Sequence, residues 1–183
     1  MPFAVVYDAA ALYPNAQRDL LLRIARHGLV QAKWTEQILD EMTRARLRKH
    51  PDLDPATLER LRKLMNGAIA DCLVTRYEAL IDNLELPDLD DRHVLAAAIK
   101  ARAQVIVTPN LKDFPASELG KWDIEAKSPD DFVVDQINID DRIVYACVQE
   151  IVNSRRREPK TVEDVLTELE NAGMVASVAA LRT

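Results

Sequence analysis

A chain of 183 residues with 48% hydrophobic content and 4 glycines is long enough to bury a self-sufficient core, so neither disulfides nor a structural metal is needed to hold it together. Its formal net charge of -6 excludes a protein that coats nucleic acid through many Lys and Arg contacts, while leaving room for one site of local positive charge. Cys72 and Cys147 lie in apolar runs without Cys-x-x-Cys or Cys/His spacing, which gives a thiolate metal centre no ligand set and suits a reducing cytoplasm.

The apolar run 3–7 ends in Asp8 and predicts a buried parallel strand that delivers an acid at its C-terminal end. A helix over 16–27 follows, with Gly28 as its C′ residue, and 29–33 reads as a second strand. Thr35 is the N-cap of a helix over 35–49 whose Ile38, Leu39, Met42 and Ala45 form a core-facing stripe. Glu41 falls on the margin of that stripe, where a carboxylate needs a reason such as metal coordination or a basic neighbour. Asp40 points outward, spaced to pair with Arg44. The end of this helix, residues 44–50, is strongly basic, which fits either cations complementing the helix dipole or contact with a polyanion through Arg46 and Arg48.

Asp54 and Pro55 open another helix, with Leu58, Leu61, Leu64 and Met65 on its inner side, and a weaker strand follows near Leu73 and Val74. After Pro87, three acids (Asp88, Asp90, Asp91) open a helix that is apolar on almost every side. One of them can cap the helix while another coordinates, and the sequence leaves Asp90 and Asp91 open as the coordinating acid. Residues 104–107 form the next strand, broken by Thr108, Pro109 and Asn110, and Asp113 lies in the turn that follows. An edge strand is expected over 122–126. From Ser128 onward the chain reads as purely helical, with starts at Ser128, Asp140 and Thr161, an end at Ala172 and Gly173, and a last short helix over 174–181. Ile143, Cys147 and Ile151 recur every fourth residue and pack on the sheet domain or on a second subunit.

Strands alternating with helices imply a mostly parallel sheet, with the boundary between an α/β domain (1–127) and a helical extension (128–183) near Ser128. Asp8 and Asp113 follow strand ends, where open parallel sheets place ligands. Converging carboxylates repel one another unless a cation balances them, and Mg²⁺ or Mn²⁺ suits all-oxygen donors. His27, His50 and His93 show no zinc spacing.

Taken together, the segment ending in Asp8, Ile38-Leu-Asp-Glu41, the run 90–98 and the run 106–115 resemble the PIN-domain family, and within it the VapC-type bacterial toxins, over residues 1–132. The resemblance implies a three-layer α/β/α fold and Mg²⁺- or Mn²⁺-dependent endonucleolytic cleavage of RNA. Asp8, Glu41, Asp91 and Asp113 would be the metal-binding acids, with Asn110 and Thr108 supporting them. It further implies a cognate antitoxin, with a homodimer as a further arrangement. No apolar run of membrane-spanning length is present, so the expected location is cytoplasmic. Two departures stand out: Ala10 replaces a polar residue common two positions after the first acid, and the spacing from Asn110 to Asp113 is one residue longer than in the commonest members. Ala10 also breaks the Asp-x-Asp pattern of haloacid-dehalogenase-like phosphohydrolases, and Lys112 is poorly placed for a response-regulator receiver. The remaining alternative is a catalytically inactive PIN fold that binds RNA or protein.

Overall fold

The computed structural model describes residues 2–183. They form a four-stranded sheet from β1 (Ala4–Tyr7), β2 (Gln31–Lys33), β3 (Val105–Val107) and β4 (Glu125–Lys127), ordered β2-β1-β3-β4 with every pairing parallel. Val5, Val6, Tyr7, Ile106 and Val107 are wholly buried, as expected of central strands covered on both faces. The chain fills one side of β1 with β2 and then crosses to β3, so the order reverses between β1 and β3. Residues at the C-terminal ends of those two strands therefore border the crevice where such sheets bind ligands.

Before β2 come a single turn α1 (Ala9–Leu12) and α2 (Asn15–Arg26), after which Gly28 adopts φ 83° and lets the chain reverse. Two longer helices follow, α3 (Glu36–Lys49) capped by Thr35 and α4 (Pro55–Ala68) capped by Asp54. A turn α5 (Glu78–Ile81) leads to α6 (Arg92–Lys100), which packs on β1 and β3, and α7 (Ala116–Leu119) leads to β4. The remaining helices are α8 (Pro129–Ile139), α9 (Asp141–Ser154), α10 (Val162–Asn171) and α11 (Val175–Leu181). Ser128, Asp140 and Thr161 each cap a helix through the side chain, and Thr161 forms a capping box with Asp164. No helix among the described residues is long and apolar enough to cross a membrane.

Several expectations need correction. The segment at Leu73 makes one parallel bridge, with Trp34, and no strand, because Asp71 and Arg76 take left-handed conformations (φ 55° and 61°) on either side and interrupt the extended run. β4 begins three residues later than expected: Gly120–Trp122 is a 3₁₀ turn and Asp123 adopts φ 56°. Leu64 is 71% exposed; the inner side of α4 is Leu58 and Met65, with Leu61 at its margin. Asp40 pairs with Arg62 on α4 at 2.6 Å, and Arg44 touches only the Asp40 carbonyl. Of the two places expected for the stripe on α9, the sheet domain is the one occupied: Cys147 and Ile151 are buried where α9 packs against α2, with Glu150 held by Arg23 and His27 across the joint.

Candidate active site

Asp8 leaves β1 at its C-terminal end and is 5% exposed. Its Oδ2 accepts from the Thr108 hydroxyl at 2.9 Å, and its Oδ1 accepts from the Ala9 amide at 2.8 Å. Thr108 stands just beyond β3 and is wholly buried; its hydroxyl also accepts from the Asn110 amide at 3.1 Å. One side chain thus ties the ends of both central strands to the first acid. Burial is the main influence on Asp8 and raises its pKa, against the lowering by its two hydrogen bonds.

Asp91 closes a 3₁₀ turn (Leu89–Asp91) immediately before α6. The sequence left open which acid caps this helix start. Asp88 caps the 3₁₀ turn, accepting from the Asp90 amide at 2.9 Å, while Asp91, at the N-cap position of α6, makes no capping bond with its side chain. Asp91 is therefore free to act in the cleft, and its carboxyl is pushed up to about 7. Burial is the first cause, followed by the negative charges of Asp8, Asp88, Asp113 and Glu41. Glu41, 30% exposed on α3, accepts from His93 Nε2 at 2.5 Å.

An open cleft of about 1050 Å³ gathers these groups. Asp8, Glu41, Asp88, Asp90 and Asp91 supply its acidic side, Asn110 stands at its edge, and Arg44, Arg48, Lys49 and Arg92 supply a basic margin. Asp113 does not line the cleft but lies close enough for its charge to act on Asp91. Arg46 does not itself line the cleft but sits over Tyr13, which does. Its guanidinium stacks 5.2 Å from the Tyr13 ring centroid and donates to the Tyr13 carbonyl at 3.2 Å. The same carbonyl accepts from buried Arg18, whose pKa falls to about 10 through burial and then the charge of Arg46.

The contribution of His93 went unread in the sequence. The signal was a histidine next to the apolar run 94–99, 52 positions from the carboxylate it meets.

The chain belongs to the PIN-domain family: residues 4–112 match the family described as "PIN domain". Residues 129–183 match the family described as "VapC50 C-terminal domain". A stretch of 79 residues is 43% identical to a protein of Mycobacterium tuberculosis (strain ATCC 25618 / H37Rv) named "Putative ribonuclease VapC50", covering 43% of this chain and 47% of that relative. The chain thus aligns with about half the length of that relative. No solved structure matches.

Proposed function

We propose that the protein is a Mg²⁺- or Mn²⁺-dependent endoribonuclease, the toxin of a toxin–antitoxin pair, acting through Asp8, Glu41, Asp91 and Asp113. The observation that carries this reading is the cleft itself, where Asp8, Glu41 and Asp91 come together from separate elements and the Asp91 carboxyl is pushed up to about 7, first by burial and then by the charges of Asp8, Asp88, Asp113 and Glu41. A divalent cation is the neutralising partner the donor set fits, since carboxylate oxygens prefer hard ions. The fit is one of donor chemistry and proximity, because no three acids among the described residues already stand at ligand distance. The name of the relative and the matched C-terminal family support the assignment to VapC-type ribonucleases.

When bound, such a cation supplies Lewis-acid polarisation of a phosphodiester and makes a water acidic enough to attack it. The protein's own groups prepare for this. Thr108 and the Ala9 amide hold Asp8 in place, Asn110 offers its amide side chain at the cleft edge, and Arg44, Arg48 and Lys49 offer phosphate contacts beside the acids. Cleavage of mixed RNAs should require Mg²⁺ or Mn²⁺ and stop with chelator; undiminished cleavage in excess EDTA would sink the reading. Metal binding without cleavage would favour the inactive binding module, to which Ala10 on the cleft wall lends its one observation.

The placement of Arg46 divides the basic run into two roles. Arg48→Ala should weaken RNA binding and lower the slope of log affinity against log salt by about 0.7 to 0.9, the share of one phosphate contact. Arg46→Ala should instead lower the melting temperature, because it removes the stacking and the hydrogen bond that secure Tyr13. Binding titrations over a salt series check the first, and melting curves check the second. Equal slopes for Arg48→Ala and wild type would make the basic margin a solvated helix end.

A further inference from the structure

His93 occupies a place where a polar side chain needs a reason. It is 3% exposed in the first turn of α6, and residues 94–98 after it are all buried. Its Nε2 meets Glu41 Oε1 at 2.5 Å, while Nδ1 is buried with no partner among the described residues. A carboxylate can only accept, so the imidazole proton belongs on Nε2; on Nδ1 it would be a buried donor with nothing to receive it. His93 therefore donates to Oε1. None of the described residues' hydrogen bonds uses Glu41 Oε2. Glu41 is otherwise a long side chain at a helix margin, and ordering such a side chain costs conformational entropy.

We infer that His93 is a positioning residue, which orders the Glu41 carboxylate through Oε1 so that Oε2 is free to hold a divalent cation. The inference rests on the metal-dependent reading above and adds a residue outside the four acids. It also explains how two acids from distant elements are set together: the start of α6 carries Asp91 directly and fixes Glu41 of α3 through the imidazole two residues later. Partners of this kind, one step behind a metal ligand, fix its orientation before the ion arrives.

The test uses the full chain, metal-free at the start, with Mn²⁺ affinity read by titration calorimetry and electron paramagnetic resonance. His93→Phe keeps a ring in the buried site and removes the donor, and His93→Gln keeps an N–H close to the place of Nε2. The expected result is a loss of about 10- to 100-fold in Mn²⁺ affinity for His93→Phe, with His93→Gln within about threefold of wild type. Adding His93→Phe to Glu41→Gln should cost nothing further, because the carboxylate it positions is gone. His93→Asn, whose amide is too short to reach Glu41, should behave like His93→Phe and replaces it if the ring does not fold. Long-range ¹H–¹⁵N spectra of the metal-free chain should show the Nε2–H tautomer for His93. Wild-type affinity in both His93→Phe and His93→Asn, an Nδ1–H tautomer, or a loss that His93→Gln shares in full would each overturn the inference. A wild-type chain that binds no Mn²⁺ would overturn the metal-dependent reading itself, a result distinct from all of these.

Discussion

Asp91→Asn should reduce RNA cleavage by about 100-fold or more, since removal even of a group that supports a metal ligand costs roughly 10- to 100-fold. The metal-free variant should nevertheless melt at or above the wild-type temperature. The reason is linkage. Asp91 has a pKa raised to about 7 in the folded chain, against an ordinary carboxylate value of 3.8. Between those values the unfolded chain has already released this proton and the folded chain still holds it, so stability falls as pH rises through the window. Asparagine makes no such contribution. The advantage of Asp91→Asn over wild type should therefore be small near pH 4, grow toward pH 7 and level off above it, in melting curves recorded with EDTA. Saturating Mn²⁺ should reverse the order. An ion at 100 times its Kd stabilises the state it binds by about 2.7 kcal/mol. At about 2 to 4 °C per kcal/mol for a chain of this size, wild type should gain roughly 5 to 10 °C and the variant less. Asp90→Asn should change little, because Asp90 enters the Asp88 cap through its backbone amide, which the substitution keeps. If Asp90→Asn is the inactive, metal-insensitive variant, the assignment is off by one residue. A metal-free Asp91→Asn less stable than wild type at pH 7 would remove the charge-crowding argument.

What could be read from the sequence was local chemistry. Thr35, Asp54, Ser128, Asp140 and Thr161 cap the helices they were expected to start, because a side chain and a free amide within three residues decide the matter without help from the rest of the chain. The matched PIN family covers the segments that carried the resemblance up to residue 112. Decisions between distant partners were not legible. Asp40 had an intrahelical cation four residues away, yet Arg62, 22 positions on, reaches both it and Glu36 from α4. Arg46 was open between a cation at the helix end and a contact with a polyanion, and its partner Tyr13, 33 positions back, is visible only in the fold. The strand expected at Leu73 failed for a backbone reason, since left-handed Asp71 and Arg76 have no signature that separates them from extended residues. Asp8 and Asp91 stood out as candidates because one follows a strand and the other precedes a helix. Their mutual distances, and the imidazole behind Glu41, are tertiary facts.

Phe132→Ala should be strongly destabilising although it lies outside the cleft. Phe132 lies on α8, beyond the expected boundary at Ser128, yet it is 1% exposed and sits edge-on to the Tyr7 ring with centroids 5.9 Å apart. Tyr7 belongs to β1, and its hydroxyl donates to the Leu21 carbonyl of α2 at 2.9 Å. The ring of Phe132 therefore wedges the last helices into the same core that orders the central strand. Truncating a buried phenylalanine costs about 3 to 5 kcal/mol, from lost transfer energy and the cavity left behind. Urea unfolding of the full chain should show that loss as a shifted midpoint with an unchanged slope. The same packing predicts the fate of a chain ending at Lys127. It would strip Phe132, Val133, Val144, Cys147, Val148 and Ile151 from a continuous buried cluster and leave the covered side of α2 and Tyr7 in water. Such a fragment should be insoluble or lack a cooperative transition; a soluble fragment with a sharp melting curve would show the α/β unit to be self-sufficient. Because Tyr7 immediately precedes Asp8, Phe132→Ala should also lower cleavage per folded molecule, though by less than Asp91→Asn. The substitution loosens the strand that presents an acid, whereas the cleft variant removes the acid itself.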